Sequence, residues 1–118
     1  MNLRRGEVVI ALFPNADGSP PKPRPVLVVQ ADAYNARLKN TIVAAITTNL
    51  AHAKDAASVL LDISTVEGRS SGLRQNSLIS CINLATMHEG LIAKTVGRLP
   101  ASLMLQVDDC LRAALGLH

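Results

Sequence analysis

Six short apolar stretches precede the one helical pattern in this chain, and that order leaves few architectures open. Glu7–Phe13 reads EVVIALF, with Val8, Ile10 and Leu12 on one face of a strand. Residues 24–30, RPVLVVQ, are apolar on both faces, as befits a strand central in a sheet. Residues 41–47, TIVAAIT, are rich in β-branched side chains. SVLLDI (58–63), NSLISCINL (76–84) and LIAKTVGRL (91–99) supply three more strands. The connections are dense in proline, glycine, asparagine and aspartate, which stop strands and preset turns. After Pro100 the pattern changes. Leu103, Met104, Val107, Cys110, Leu111, Ala114 and Leu115 recur at three- and four-residue steps, one apolar helical stripe, with Gly116 suited to its exit. The expectation is a mainly β fold with a C-terminal α-helix: a small, closed or half-closed barrel flanked by that helix. No repeat or linker interrupts residues 1–118, which are read as one domain.

The fifth strand adds a constraint. Leu78, Ser80, Ile82 and Leu84 alternate with Ile79 and Cys81, so neither face is clearly wet. One face fills a barrel. The other needs cover from the helix or a second subunit, and a symmetric dimer is the economical solution.

Charge and composition limit the partners. The formal net charge is +3, which favours an anionic partner. The only aromatic residues are Phe13 and Tyr34, too few to stack successive bases. A nucleic acid would have to be held through its backbone, hydrogen bonds and shape. No apolar run reaches the ~20 residues of a membrane-spanning helix. The start of the chain, with Arg4, Arg5 and Glu7, lacks the apolar core of a signal peptide, so a cytoplasmic protein is expected. Cys81 and Cys110 share no ligand or redox spacing and read as small buried hydrophobes.

Few residues offer chemistry. His52, His88 and His118 have no ligand spacing and read as loop and terminal side chains, so neither metal nor cofactor is expected. Asp108 and Asp109 are adjacent on the predicted helix and diverge by about 100°. There is no glycine-rich phosphate loop and no Gly-x-Ser-x-Gly elbow. What remains is Arg24, held between Pro23 and Pro25 at the start of the second strand, and Thr47 at the end of the third. In an antiparallel pair those two ends meet. A guanidinium and a hydroxyl there could hold one phosphate. A solvent-facing arginine and an ordinary strand-end threonine are the plainer alternative.

The ordered set of features resembles the MazF/PemK toxin family across almost the whole chain. It comprises Arg5-Gly6-Glu7 at strand one, Gly18-Ser19 in the first loop and Arg24-Pro25-Val26 entering strand two. It continues with Thr47 closing VAAIT, Asn76-Ser77 opening strand five and Leu115-Gly116-Leu117 ending the helix. The resemblance implies an SH3-like small β-barrel working as a homodimer. It implies a metal-independent endoribonuclease that cuts single-stranded RNA, with Arg24 and Thr47 as the catalytic pair. The products would be 2′,3′-cyclic phosphate and 5′-hydroxyl ends; the general base is left open. It further implies an RNA groove with Ser19, Lys22, Gln30, Arg74, Asn76, Ser77 and Asn83, and an antitoxin with a disordered, acidic C-terminal segment. Several positions depart from the family pattern. The first loop continues Pro20-Pro21-Lys22 without an acid after Gly-Ser, and Asn76 stands where many relatives have aspartate. Near Ile82 and Asn83, relatives often carry an acid and a glutamine, so the recognised RNA sequence should differ. A gyrase poison of the CcdB kind, with a similar barrel and no RNA cleavage, and a silent antitoxin-binding module are the other readings.

Overall fold

The computed structural model describes residues 2–118. Antiparallel pairing joins the apolar segments into one six-stranded sheet, β4-β5-β3-β2-β1-β6. The strands are β1 (Glu7–Phe13), β2 (Lys22–Val28), β3 (Asn40–Thr47), β4 (Ser58–Leu61), β5 (Ser77–His88) and β6 (Ile92–Arg98). Two strands differ in extent from the apolar runs that predict them. β2 starts at Lys22 because Lys22 and Pro23 pair with Phe13 and Leu12 of β1. β5 continues to His88 because its last four residues pair with the start of β3. The return after β2 contains a one-turn helix, α1 (Asp32–Asn35), and the polar connection after β4 another, α2 (Val66–Arg69), capped by the Thr65 hydroxyl. Both lie in stretches read from sequence as plain connections.

The sheet is apolar on both sides. One cluster joins Val8, Leu27, Ile46, Leu61 and Ile79 to Leu103, Val107 and Cys110 of α3 (Ala101–Leu115). The other, around Val9, Val26, Val28, Val43 and Met87, is enclosed by the strands themselves together with Leu3. This is why Val9 and Ala11, on the opposite face of β1, are buried along with Val8, while Ile10 of the expected stripe is half-buried and Leu12 exposed. The helix follows its sequence signals. Pro100 precedes its first turn, Gly116 leaves it at φ 68°, and Leu115, predicted to be in the stripe, is exposed past the edge of the sheet. Asp108 pairs with Arg5 at 2.6 Å and Asp109 with Arg112 at 2.9 Å, so the two carboxylates diverge.

No ladder joins the outer strands β4 and β6. The gap between them is spanned by the connection after β4. Arg98 N–H donates to the Ser70 carbonyl at 2.9 Å. Backbone lies directly on backbone there: a Cβ on Gly72 would stand 2.0 Å from the Val96 oxygen, and one on Gly97 would stand 2.3 Å from the Ser71 carbonyl. Only glycine permits that approach.

Candidate active site at the rim of β2 and β3

Arg24 is placed by the ladders on both sides of β2. Towards β1 it sits opposite Ala11. Towards β3 the register runs Val26–Ala45, Leu27–Ala44 and Val28–Val43. Continued by two residues, that register sets Arg24 across from Thr47, on the face of Val26 and Ala45. Pro23 and Pro25 have no N–H to give, and the β2–β3 ladder ends at Val26. Both side chains are exposed at the rim. The Arg24 guanidinium donates to Asn15 Oδ1 at 3.2 Å. Asn15 in turn donates to the Pro20 carbonyl at 2.8 Å, so the arginine is tethered to the β1–β2 loop. Asp17 of that loop accepts from the Ser19 hydroxyl at 2.7 Å. That bond is the main reason its carboxyl lies below the ordinary range, and the Arg24 charge adds a smaller pull.

A cleft of about 410 Å3 opens beside Thr47. One wall is the β3–β4 connection, with Asn49, His52 and Asp55; the other is β5, with Ser80, Ile82 and Asn83. A bulge shapes the β5 wall. Ala44 pairs with Leu84 and Ala45 with Ser80, so one step on β3 spans Cys81, Ile82 and Asn83 on β5. These residues leave the β3 ladder, exposing Ile82 and Asn83, and Asn83 donates to the Ser80 hydroxyl at 2.8 Å. The opposite wall is held by side-chain turns. Thr47 Oγ1 accepts from Asn49 N–H at 3.1 Å, Asn49 Oδ1 from Ala51 N–H at 3.0 Å, and Asp55 Oδ1 from Ala57 N–H at 2.8 Å.

The predicted RNA-binding residues divide. Ser19 and Lys22 are exposed on the loop and strand that carry Arg24, and Asn83 lines the cleft. Arg74 is exposed and Asn76 accepts from Ile63 N–H at 2.9 Å, both on the connection into β5. Gln30 lies away from the rim, whereas Ser77 adjoins Leu78, the ladder partner of Thr47. Gln30 is buried beyond the far end of β2, roughly 20 Å of strand rise from Arg24, and spends its amide on Asn35 and the Asn40 carbonyl. Ser77 is buried with its hydroxyl on the Gln75 carbonyl. From sequence His52 reads as a loop side chain and Asp55 is not singled out, yet both line the cleft. The available signal was their position, within eight residues of Thr47 on the connection that leaves its strand.

A six-stranded small barrel with a C-terminal helix and this rim defines a toxin fold. Among solved structures, the Mycobacterium tuberculosis toxin MazF-mt6 superposes with a TM-score of 0.77 at 28% identity, covering 95% of this chain and 98% of that one. MazE–MazF from Deinococcus radiodurans, at 18% identity, shares the fold over the full length of both chains with a TM-score of 0.74. The chain belongs to the family of PemK-like, MazF-like toxins of type II toxin–antitoxin systems, matched over residues 4–115. It is 39% identical to Endoribonuclease MazF2 of Mycobacterium bovis, over 99% of this chain and 100% of the relative. It is 30% identical to Endoribonuclease EndoA of Bacillus subtilis, over 99% and 97%.

Proposed function

We infer that this protein is an endoribonuclease toxin that cuts single-stranded RNA by transesterification at Arg24 and Thr47. The observation that supports this reading is the β2–β3 register, which, continued two residues past Val26–Ala45, would bring a guanidinium and a hydroxyl to one open rim. The RNA supplies its own nucleophile, the 2′-hydroxyl, which attacks the adjacent phosphorus. Negative charge builds on the equatorial oxygens. Arg24 offers them a planar fork of donors that stays charged, and Thr47 offers one hydroxyl. Preorganised donors of this kind are worth about 10²–10³ in rate each. Among the described residues no three His, Cys, Asp or Glu side chains stand together as a metal site. The arginine supplies the charge that a metal ion supplies in other nucleases. Ser19 and Lys22, exposed on the loop and strand that carry Arg24, and Asn83, in the cleft beside Thr47, are read as contacts to the RNA flanking the scissile phosphate.

The remaining parts of the reading follow the family. The protein works in the cytoplasm as a homodimer, and a cognate antitoxin covers its groove with an acidic, disordered segment. Relatives named as endoribonucleases favour the nuclease over the gyrase poison and the silent binding module. The test is primer extension on a long RNA incubated with protein and EDTA, followed by end-group analysis. Discrete cuts with 5′-hydroxyl and 2′,3′-cyclic phosphate ends are expected, and Arg24→Ala should abolish them while the protein stays folded. Cutting that needs a divalent ion, or that survives in Arg24→Ala, would overturn the assignment.

A further inference from the structure

We propose that His52 accepts the 2′-hydroxyl proton during RNA cleavage, an assignment that rests on the endoribonuclease reading above. Cyclisation needs a proton acceptor, and neither member of the catalytic pair is suited to it. A guanidinium holds its proton above pH ~12 and a threonine hydroxyl is a donor of similar reluctance. Imidazole is the side chain that exchanges a proton around neutral pH.

One imidazole lines the cleft beside Thr47. His52 and Thr47 line the same cavity of about 410 Å3, within the ~300–1,000 Å3 typical of small-molecule sites. They are also parts of one braced segment. The turns running from Thr47 through Asn49 to Ala51 place the chain just before His52. The His52 carbonyl then accepts from Asp55 N–H at 3.0 Å, closing the turn behind it. The imidazole is therefore carried on a loop whose root is the catalytic hydroxyl itself. Of the other residues lining the cleft, only Asp55 is titratable; β4 and β5 contribute serine, leucine, isoleucine and asparagine. Asp55 holds Ala57 N–H, and carboxylates as a class are weak proton acceptors at neutral pH. Lys54 is the neighbouring charge on the same loop and Arg24 the charge at the rim. Neither His88, whose Nδ1 holds Gly90 N–H, nor His118 at the chain end lines the cleft.

The step balances without another reactant. The bond from 2′-oxygen to phosphorus forms as the bond from phosphorus to 5′-oxygen breaks. The 2′ proton passes to His52, the leaving 5′-oxygen takes a proton from water, and the imidazolium returns its proton to the hydroxide that remains.

The test compares wild type, His52→Gln, His52→Ala and Arg24→Ala. The substrate is an oligonucleotide spanning a mapped cut site, with its 2′-deoxy counterpart as an uncleavable binding probe. His52→Gln should lower the single-turnover rate about 10²–10⁴-fold while binding the deoxy probe as wild type does. Wild-type rate should rise with pH and level off, because the base is complete once neutral. The variant should keep rising with hydroxide and show no plateau. Added imidazole should partly restore His52→Ala and leave Arg24→Ala silent. A wild-type rate and profile in His52→Gln, with Arg24→Ala dead, would overturn the base and leave the nuclease standing. A slow variant that keeps the plateau and ignores imidazole would also overturn it, since His52 would then be only structural. No cutting by the wild-type protein would remove both readings.

Discussion

The approach of the Ser70–Gly72 backbone to Val96–Arg98 makes Gly97→Ala a demanding substitution. The added methyl would stand 2.3 Å from the Ser71 carbonyl carbon and oxygen and 2.5 Å from the Ser70 oxygen. These are backbone atoms, so no rotamer change relieves the contact, and the two segments must separate by about 1 Å to reach ordinary van der Waals distance. Overpacking of this sort costs about 1–3 kcal/mol. Separation also stretches the 2.9 Å bond from Arg98 N–H to the Ser70 carbonyl, worth about 1 kcal/mol. Gly97 does not have positive φ, so the alanine regains about 0.4–1 kcal/mol by restricting the unfolded chain. The net loss is about 1–4 kcal/mol, or roughly 4–16 °C in Tm for a chain of this length. Urea and thermal unfolding of Gly97→Ala and Gly116→Ala would measure it. Gly116 has positive φ but nothing within 4 Å of its missing Cβ, so its substitution carries only the backbone cost of about 1–2 kcal/mol. In addition, the Arg98 amide should exchange faster in Gly97→Ala alone. A Gly97→Ala protein as stable as wild type, with Arg98 still protected, would refute this account of how the outer strands are joined.

Arg24→Lys should lose most of the cleavage rate, about 10²-fold or more, with no more than ~0.5 kcal/mol change in stability, because the exposed guanidinium has one neutral partner in the fold; parallel cleavage and urea assays would show the split. Asp32 has its carboxyl held below the ordinary 3.8, chiefly by Arg5 N–H at 2.6 Å. Its contribution to stability is therefore complete above that value and is lost as pH falls through the lower folded one. Asp32→Asn should lower Tm at pH 7 and narrow the gap to wild type in strong acid, as read by thermal melts across pH. Burial pushes the Cys81 thiol up to about 11 and that of Cys110 in the same direction. Neither should react with iodoacetamide at pH 8 in the folded protein, and mass spectrometry should find both alkylated only after denaturation.

How much of this could be read beforehand depended on whether the information was local. The helix was legible end to end, because Pro100, the apolar steps from Leu103 to Ala114, and Gly116 all act within a few residues. The six strands were legible as segments, and the antiparallel pairing of β2 with β3 followed from their being adjacent in the chain. The bulge at Cys81–Asn83 was not legible, since the residues themselves continue an apolar strand and only β3 decides that they stand out of the ladder. The same limit hid the fate of Gln30. A glutamine ending an apolar run looks like a polar residue at a rim, yet it is buried with Thr41 and bonded to half-buried Asn35 and the Asn40 carbonyl, an arrangement that no spacing announces. Glycines 72 and 97 gave no warning either, because the contact that requires them joins segments distant in the chain.

The contact between Arg24 and Asn15 bears on how the site engages its substrate. The guanidinium rests on a neutral amide at 3.2 Å, in the open, where water competes for both partners. A phosphate brought to the rim offers two charged oxygens to the same fork. Exchange of Asn15 for phosphate is therefore downhill, and the prolines on either side of Arg24 reduce the backbone freedom lost in making it. The exchange also releases Asn15, whose other bonds run to Ser19 and Pro20. If the scissile phosphate seats on Arg24 as proposed, its binding would be linked to the conformation of residues 14–21, the loop beside Lys22. Under the proposed function, this exchange at Arg24 would couple the rim to the loop that borders it, and a partner gripping the loop would compete with RNA for the same arginine.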